Sequence, residues 1–106
     1  MSDVVARVLE ALNGHDIEAF VECYTEDATI ENGHDEVGAR GHDELRARYG
    51  PMFEKFPDVH VTALQRIDAG DFVVQHEEVT GRGDPARHVA VYLVRDGRIA
   101  RERLIA

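Results

Sequence analysis

The stretch ALNGHDIEAFVECYTEDATIEN, Ala11 to Asn32, decides how the rest of the chain is read. It opens on the end of an apolar periodicity that begins at Val4 and runs through Val5, Val8, Leu9 and Leu12, the spacing of one helix face. Ser2 and Asp3 supply a start and Gly14 a stop, so a first helix is predicted between them. A second helix is predicted from Asp16, with Ile17, Phe20, Val21 and Tyr24 on one stripe, and the short link makes the pair a helical hairpin. ATIEN, residues 28–32, then reads as a short strand.

Outward from that stretch, the loop GHDEVGARG leads to a third helix with the stripe Leu45, Tyr49, Met52, Phe53 and Phe56. A proline inside a helix removes one hydrogen bond and clashes with the carbonyl four residues earlier, so a kink or break is expected near Gly50-Pro51. After Pro57-Asp58 the texture becomes β: VHVTALQRID, FVVQHEEVTGR, ARHVAVYLVR and RIARERLI. The links Ala69-Gly70-Asp71, Gly83-Asp84-Pro85 and Asp96-Gly97 are short, which favours antiparallel hairpins. The order ααβαββββ predicts an α+β fold, a curved sheet wrapped around three helices, in a single domain over residues 1–106. Gly-His-Asp recurs at 14–16, 33–35 and 41–43 at unequal intervals; it reads as punctuation, with Asp16 and Asp43 capping the helices that follow. His34 is the histidine this leaves unexplained.

A chain of 106 residues, 43% hydrophobic, supports one core. Its 21 acidic against 12 basic residues give a formal charge of −9, which repels phosphate backbones and anionic membranes, so neither nucleic acid nor membrane is an expected partner. No apolar run has membrane-spanning length and MSDVVARVLEALNG has no signal-peptide pattern, so a soluble cytoplasmic protein is expected. The single Cys23 forms no internal disulfide and reads as packing. A metal site from His34, His76 and Glu78 is chemically permitted, but no spacing motif supports one, and neither metal nor cofactor is expected.

Three segments, residues 11–32, the GHDELRARY start of the third helix and VAVYLVRDGRIARE at 89–102, resemble the nuclear transport factor 2-like superfamily, in particular its SnoaL-like and ketosteroid-isomerase-like bacterial branch. The resemblance covers nearly the whole chain and implies a cone with an internal ligand cavity, usually in a dimer. It specifies fold better than activity. Ketosteroid isomerases use an Asp base with an oxyanion hole of Tyr and protonated Asp, a case worked in general treatments of pKa tuning. Alignment with them puts Val8 at the Tyr, Asn32 at the base and Ala90 at the oxyanion Asp, so that catalytic set is missing. Tyr49 lies where those enzymes have a supporting pocket Tyr, a contact for Asn32 or for a ligand.

Within FVVQHEEVT, Phe72, Val74, His76, Glu78 and Thr80 share one face, and Val73, Gln75, Glu77 and Val79 the other. The resemblance implies that His76, Glu78 and Thr80 line the cavity. On that basis Glu78 is the expected proton acceptor with His76 as its partner, while Asn32, His34, Tyr49, Thr80, Tyr92 and Glu102 are expected ligand contacts. The alternation Ile99, Arg101, Arg103, Ile105 argues against an inward Glu102, and the alignment argues for it. The strand HVAVYLVR is apolar on both faces, so a homodimer through the outer sheet face is expected. Two functions follow: a small-molecule enzyme performing proton transfer or water addition in a polar cavity, or a ligand-binding or dimerisation module without turnover.

Overall fold

The computed structural model describes residues 3–32 and 37–106, so the expectation for His34 lies outside the described residues. Helix α1 (Val4–Asn13) starts where the Asp3 carboxylate accepts from Ala6 N, and α2 (Ile17–Glu22) where Asp16 accepts from Ala19 N. Strands β1 (Tyr24–Asn32) and β2 (Val37–Arg40) precede α3 (Gly41–Lys55). A meander follows: β3 (His60–Ala69), β4 (Phe72–Thr80), β5 (Ala86–Arg95) and β6 (Arg98–Ile105). The six strands form one curved, unclosed sheet in the order β2-β1-β6-β5-β4-β3. Every pairing is antiparallel except β1 with β6, which is parallel.

Several local expectations are corrected. Part of the loop after residue 32 is strand β2, which pairs with β1, so the order is ααββαββββ. Tyr24 begins β1 instead of ending α2, because Cys23 already caps a helix of only six residues. Asp43 sits in the first turn of α3 instead of capping it; Arg40 occupies the cap position and its N–H is met by Glu44. Helix α3 continues through Pro51 to Lys55. The lost hydrogen bond is tolerated there because Phe53 is buried against Phe20 and stacked on His15 at 5.3 Å, so ending the helix early would expose an aromatic anchor.

The helices lie on the concave side of the sheet. Val5, Val8, Phe20, Val21, Leu45 and Phe53 pack against Tyr24, Ile30, Ala90, Tyr92 and Ile99 from the strands. Asn13 fastens α1 to the far edge, accepting from Val61 N at 2.7 Å and donating to Val61 O at 3.0 Å. Register shifts at Ile30/Glu31 in β1, Ala63/Gln65 in β3 and Leu93/Val94 against β6 mark irregularities of the kind that bend a sheet. Among the described residues no helix is long and apolar enough to cross a membrane.

Candidate active site

The concave face of β4 carries Val73, Gln75 and Glu77, all buried, together with Val79. This reverses the expected parity: His76, Glu78 and Thr80 lie on the convex face, where Glu78 pairs with Arg87 at 3.1 Å. Both faces mix apolar and polar residues, so the strand by itself offered no reason to prefer either. Hairpin register supplies the partners: Glu77 lies opposite His88 and Glu78 opposite Arg87, which puts an acid across from a base on both faces.

Glu77 is 2% exposed and fully engaged. His88 Nε2 lies 2.8 Å from Oε1, while Gln75 Nε2 and Tyr92 Oη each donate to Oε2 at 2.7 Å. All four residues belong to β4 and β5 and point into the concave side, so the pleat of one hairpin assembles the cluster.

Glu102, 6% exposed, arrives from β6 opposite Tyr92. The alternation that argued against it is broken between Ile99 and Arg101. Val94 pairs with Ile99 and Leu93 with Arg101, leaving Ala100 as an extra residue, so Ile99 and Glu102 both turn inward. Tyr24 Oη donates to Glu102 Oε1 at 2.6 Å. Burial pushes the Glu102 carboxyl up to about 7; the Tyr24 hydrogen bond opposes the rise and the Glu77 charge adds to it. Burial likewise raises the phenols of Tyr24, Tyr49 and Tyr92, which keeps them protonated and available as donors.

These groups line a pocket of about 90 Å³ between the helices and the sheet. One wall is apolar, with Val8, Leu9, Leu12, Val59 and Val61; the other holds Tyr24, Tyr49, Glu77, His88, Tyr92 and Glu102, and Arg82 reaches in from the β4–β5 turn. Glu102 Oε2 and the Tyr49 hydroxyl have no hydrogen-bond partner among the described residues. No fully enclosed polar side-chain atom among those residues is unpaired, so both atoms adjoin open space.

The structure therefore brings together three of the expected residues, Tyr49, Tyr92 and Glu102, and leaves His76, Glu78, Thr80 and Asn32 outside the pocket lining. Tyr24, Glu77 and His88 were missed. A sequence signal existed for the last two, since counting back from the Gly83-Asp84-Pro85 turn sets Glu77 against His88, but it did not say which face was concave. Among the described residues no cluster of three or more His, Cys, Asp and Glu side chains is placed to hold a metal.

The family model of the SnoaL-like domain matches residues 5–102. The chain belongs to the SnoaL-like family. No functionally curated protein matches it. Among solved structures, an uncharacterised protein of cystatin fold from Novosphingobium aromaticivorans superposes with a TM-score of 0.90 at 24% identity, covering 97% of this chain and 95% of that one. A protein provisionally named a polyketide cyclase, from Sinorhizobium meliloti, gives 0.85 at 23% identity over 98% and 94%. A protein provisionally named a ketosteroid isomerase, from Kribbella flavida, gives 0.78 at 20% identity over 96% and 73%. At such identities the likeness establishes the nuclear transport factor 2-like fold of this SnoaL-like chain.

Proposed function

We propose that this SnoaL-like protein binds a small carbonyl compound in the pocket and moves a proton on it, with Glu102 as base and acid and Tyr49 as the hydrogen-bond donor to the carbonyl oxygen. The observation that carries this reading is the pairing of a buried carboxyl titrating near neutrality with a phenol, each with a free atom at the pocket. A carboxylate in that range exchanges protons efficiently at neutral pH. Glu102 Oε2 takes a proton from the carbon beside the carbonyl, the electron pair moves onto oxygen as an enolate, and Tyr49 stabilises that charge by hydrogen bonding. Protonated Glu102 then returns the proton to the same carbon or, where the enolate is conjugated with a C=C bond, to the far carbon of that conjugated system; alternatively the enolate carbon attacks a second carbonyl and the alkoxide so formed takes the proton from Glu102. The provisional names of the two relatives, a cyclase and an isomerase, describe these two outcomes. Glu77, with both oxygens engaged, is a positioning residue: its fixed charge helps hold the proton on Glu102.

The test is hydrogen–deuterium exchange at the α-carbons of butanone and cyclopentanone in deuterated buffer, followed by NMR. Wild type accelerates exchange, and Glu102→Gln reduces the acceleration by a factor on the order of 10²–10⁴. Exchange no faster in wild type than in Glu102→Gln rejects the proton-transfer reading.

One observation favours a second reading, a ligand-binding module without turnover. A pocket of about 90 Å³ is small beside the roughly 300–1,000 Å³ usual for sites that enclose drug-sized ligands. Under either reading we infer a homodimer. Phe72 (46% exposed), Val91 and Leu93 present an apolar stripe on the convex face, which a second copy would cover. Sedimentation equilibrium at micromolar concentration is expected to give twice the chain mass, and a monomer rejects it.

A further inference from the structure

The rim of the pocket carries a charge opposite to that of its interior. Arg82 lines the pocket and its guanidinium carbon lies 5.2 Å from the centre of the Phe56 ring; Lys55 Nζ lies 5.4 Å from the same ring. Neither cation has an acidic partner among the described residues, although the chain carries a formal charge of −9. Lys55 has a local reason to be there, since it sits in the last turn of α3 where a cation offsets the helix dipole. Arg82 has none. Its turn is also held in place: Gly81 has φ +84, and a Cβ there would clash with Asp58 O, so the backbone of the turn rests directly on the segment leading into β3. The positive charge of Arg82 also opposes the rise in the Tyr49 phenol, so its field reaches the polar wall.

We propose that Arg82 receives the carboxylate of a small carbonyl acid whose ketone end enters the pocket next to Glu102 and Tyr49. The proposal deepens the proton-transfer reading and rests on it. The planar guanidinium fork matches a carboxylate, and a singly charged acid is opposed by the chain's negative field less than a phosphate dianion is. The pocket holds only a short ketone end, so the anionic group remains at the rim, where Arg82 is.

The probes are pyruvate and levulinate, each compared with its methyl ester, and acetyl phosphate, titrated by NMR into isotope-labelled wild type, Arg82→Gln, Arg82→Lys and Lys55→Gln. Arg82 and Lys55 are exposed, and circular dichroism checks that the variants fold. The expected result is that wild type binds an acid more tightly than its ester. Arg82→Gln weakens the acid about tenfold with the ester unchanged, an effect of the size expected for one partly exposed charge-assisted contact. Arg82→Lys restores part of the loss, and added salt narrows the gap between acid and ester. Acids that bind no better than esters, acids that do not bind at all, an equal loss of acid and ester in Arg82→Gln, or preference for acetyl phosphate overturns the proposal. A separate titration of the Glu102 carboxyl by carbon NMR, without ligand, keeps the two ideas apart. Titration near neutrality with no acid preference removes only the rim assignment, whereas titration in the ordinary carboxylate range removes the proton-transfer reading as well.

Discussion

Glu31 and Glu102 sit on the same pair of strands, one residue out of register and on opposite faces, and their chemistry is opposite. On the convex face Glu31 accepts from Arg101 at 2.7 and 2.8 Å and from Arg103 at 2.9 Å, and these guanidinium hydrogen bonds hold its carboxyl down to about 2. On the concave face Glu102 meets a single phenol, loses its water, and is pushed up to about 7. Both residues are almost covered. What separates them is the covering material, two cations in one case and apolar side chains, phenols and another carboxylate in the other. For these two carboxyls, the side of the sheet they face sets the direction of the shift.

The largest expected effect comes from removing the anchor of the concave cluster. Glu77→Leu leaves Gln75, Tyr92 and His88 without their shared acceptor, and should destabilise the protein by about 3–5 kcal/mol in urea melts. A loss below about 1 kcal/mol would mean that the network is dispensable.

Next is the pH dependence. In the unfolded chain Glu102 has its ordinary value near 4.5 and in the folded chain about 7, so the folded state binds more protons between those limits. Stability therefore falls as pH rises through that window, by about 3 kcal/mol between pH 4.5 and pH 8 from this group alone. Glu102→Gln should flatten the curve; equal slopes in wild type and variant would erase the contrast with Glu31.

Glu31 behaves with the opposite sign. Its folded value lies below its unfolded one, so its contribution is present above about pH 4.5 and lost as pH falls toward 2. Glu31→Gln should cost about 1–2 kcal/mol near neutrality, a figure reduced for guanidinium groups that face solvent, and less in high salt. The difference from wild type should close near pH 2.

The smallest change sharpens the comparison from inside. Tyr24→Phe removes the hydrogen bond that Glu102 Oε1 accepts, an influence that favours its ionised form, so the Glu102 titration should move up by an amount worth about 1 kcal/mol, read by carbon NMR. A downward movement would show that the phenol stabilises the protonated acid instead.

Much of the fold was legible before any coordinates. The apolar period of α1, the capping Asp16, the meander and its turns all appear where local pattern put them, because each rests on residues close in sequence. Asp96 and Gly97 adopt the positive φ values a tight hairpin demands. The site was only partly legible. Tyr49 and Tyr92 line the pocket as expected, but the acid–base pair was sought at His76 and Glu78, one residue away from the face that holds Glu77. A period of two identifies which residues share a face and leaves open which face is concave. In β6 the alternation itself misled, since one extra residue at Ala100 reversed the parity before Glu102.

By itself the sequence determined the fold class, the hairpin order and the acidic character of the chain, all of which follow from local periodicity, turn chemistry and charge. Only the tertiary structure decided that Glu102 is buried beside Tyr24 and Glu77 while Glu31 lies under two arginines. The physical reason is that desolvation depends on which surfaces close over a side chain, and here β5 is a neighbour in the chain while β1 and the helices come from far along it.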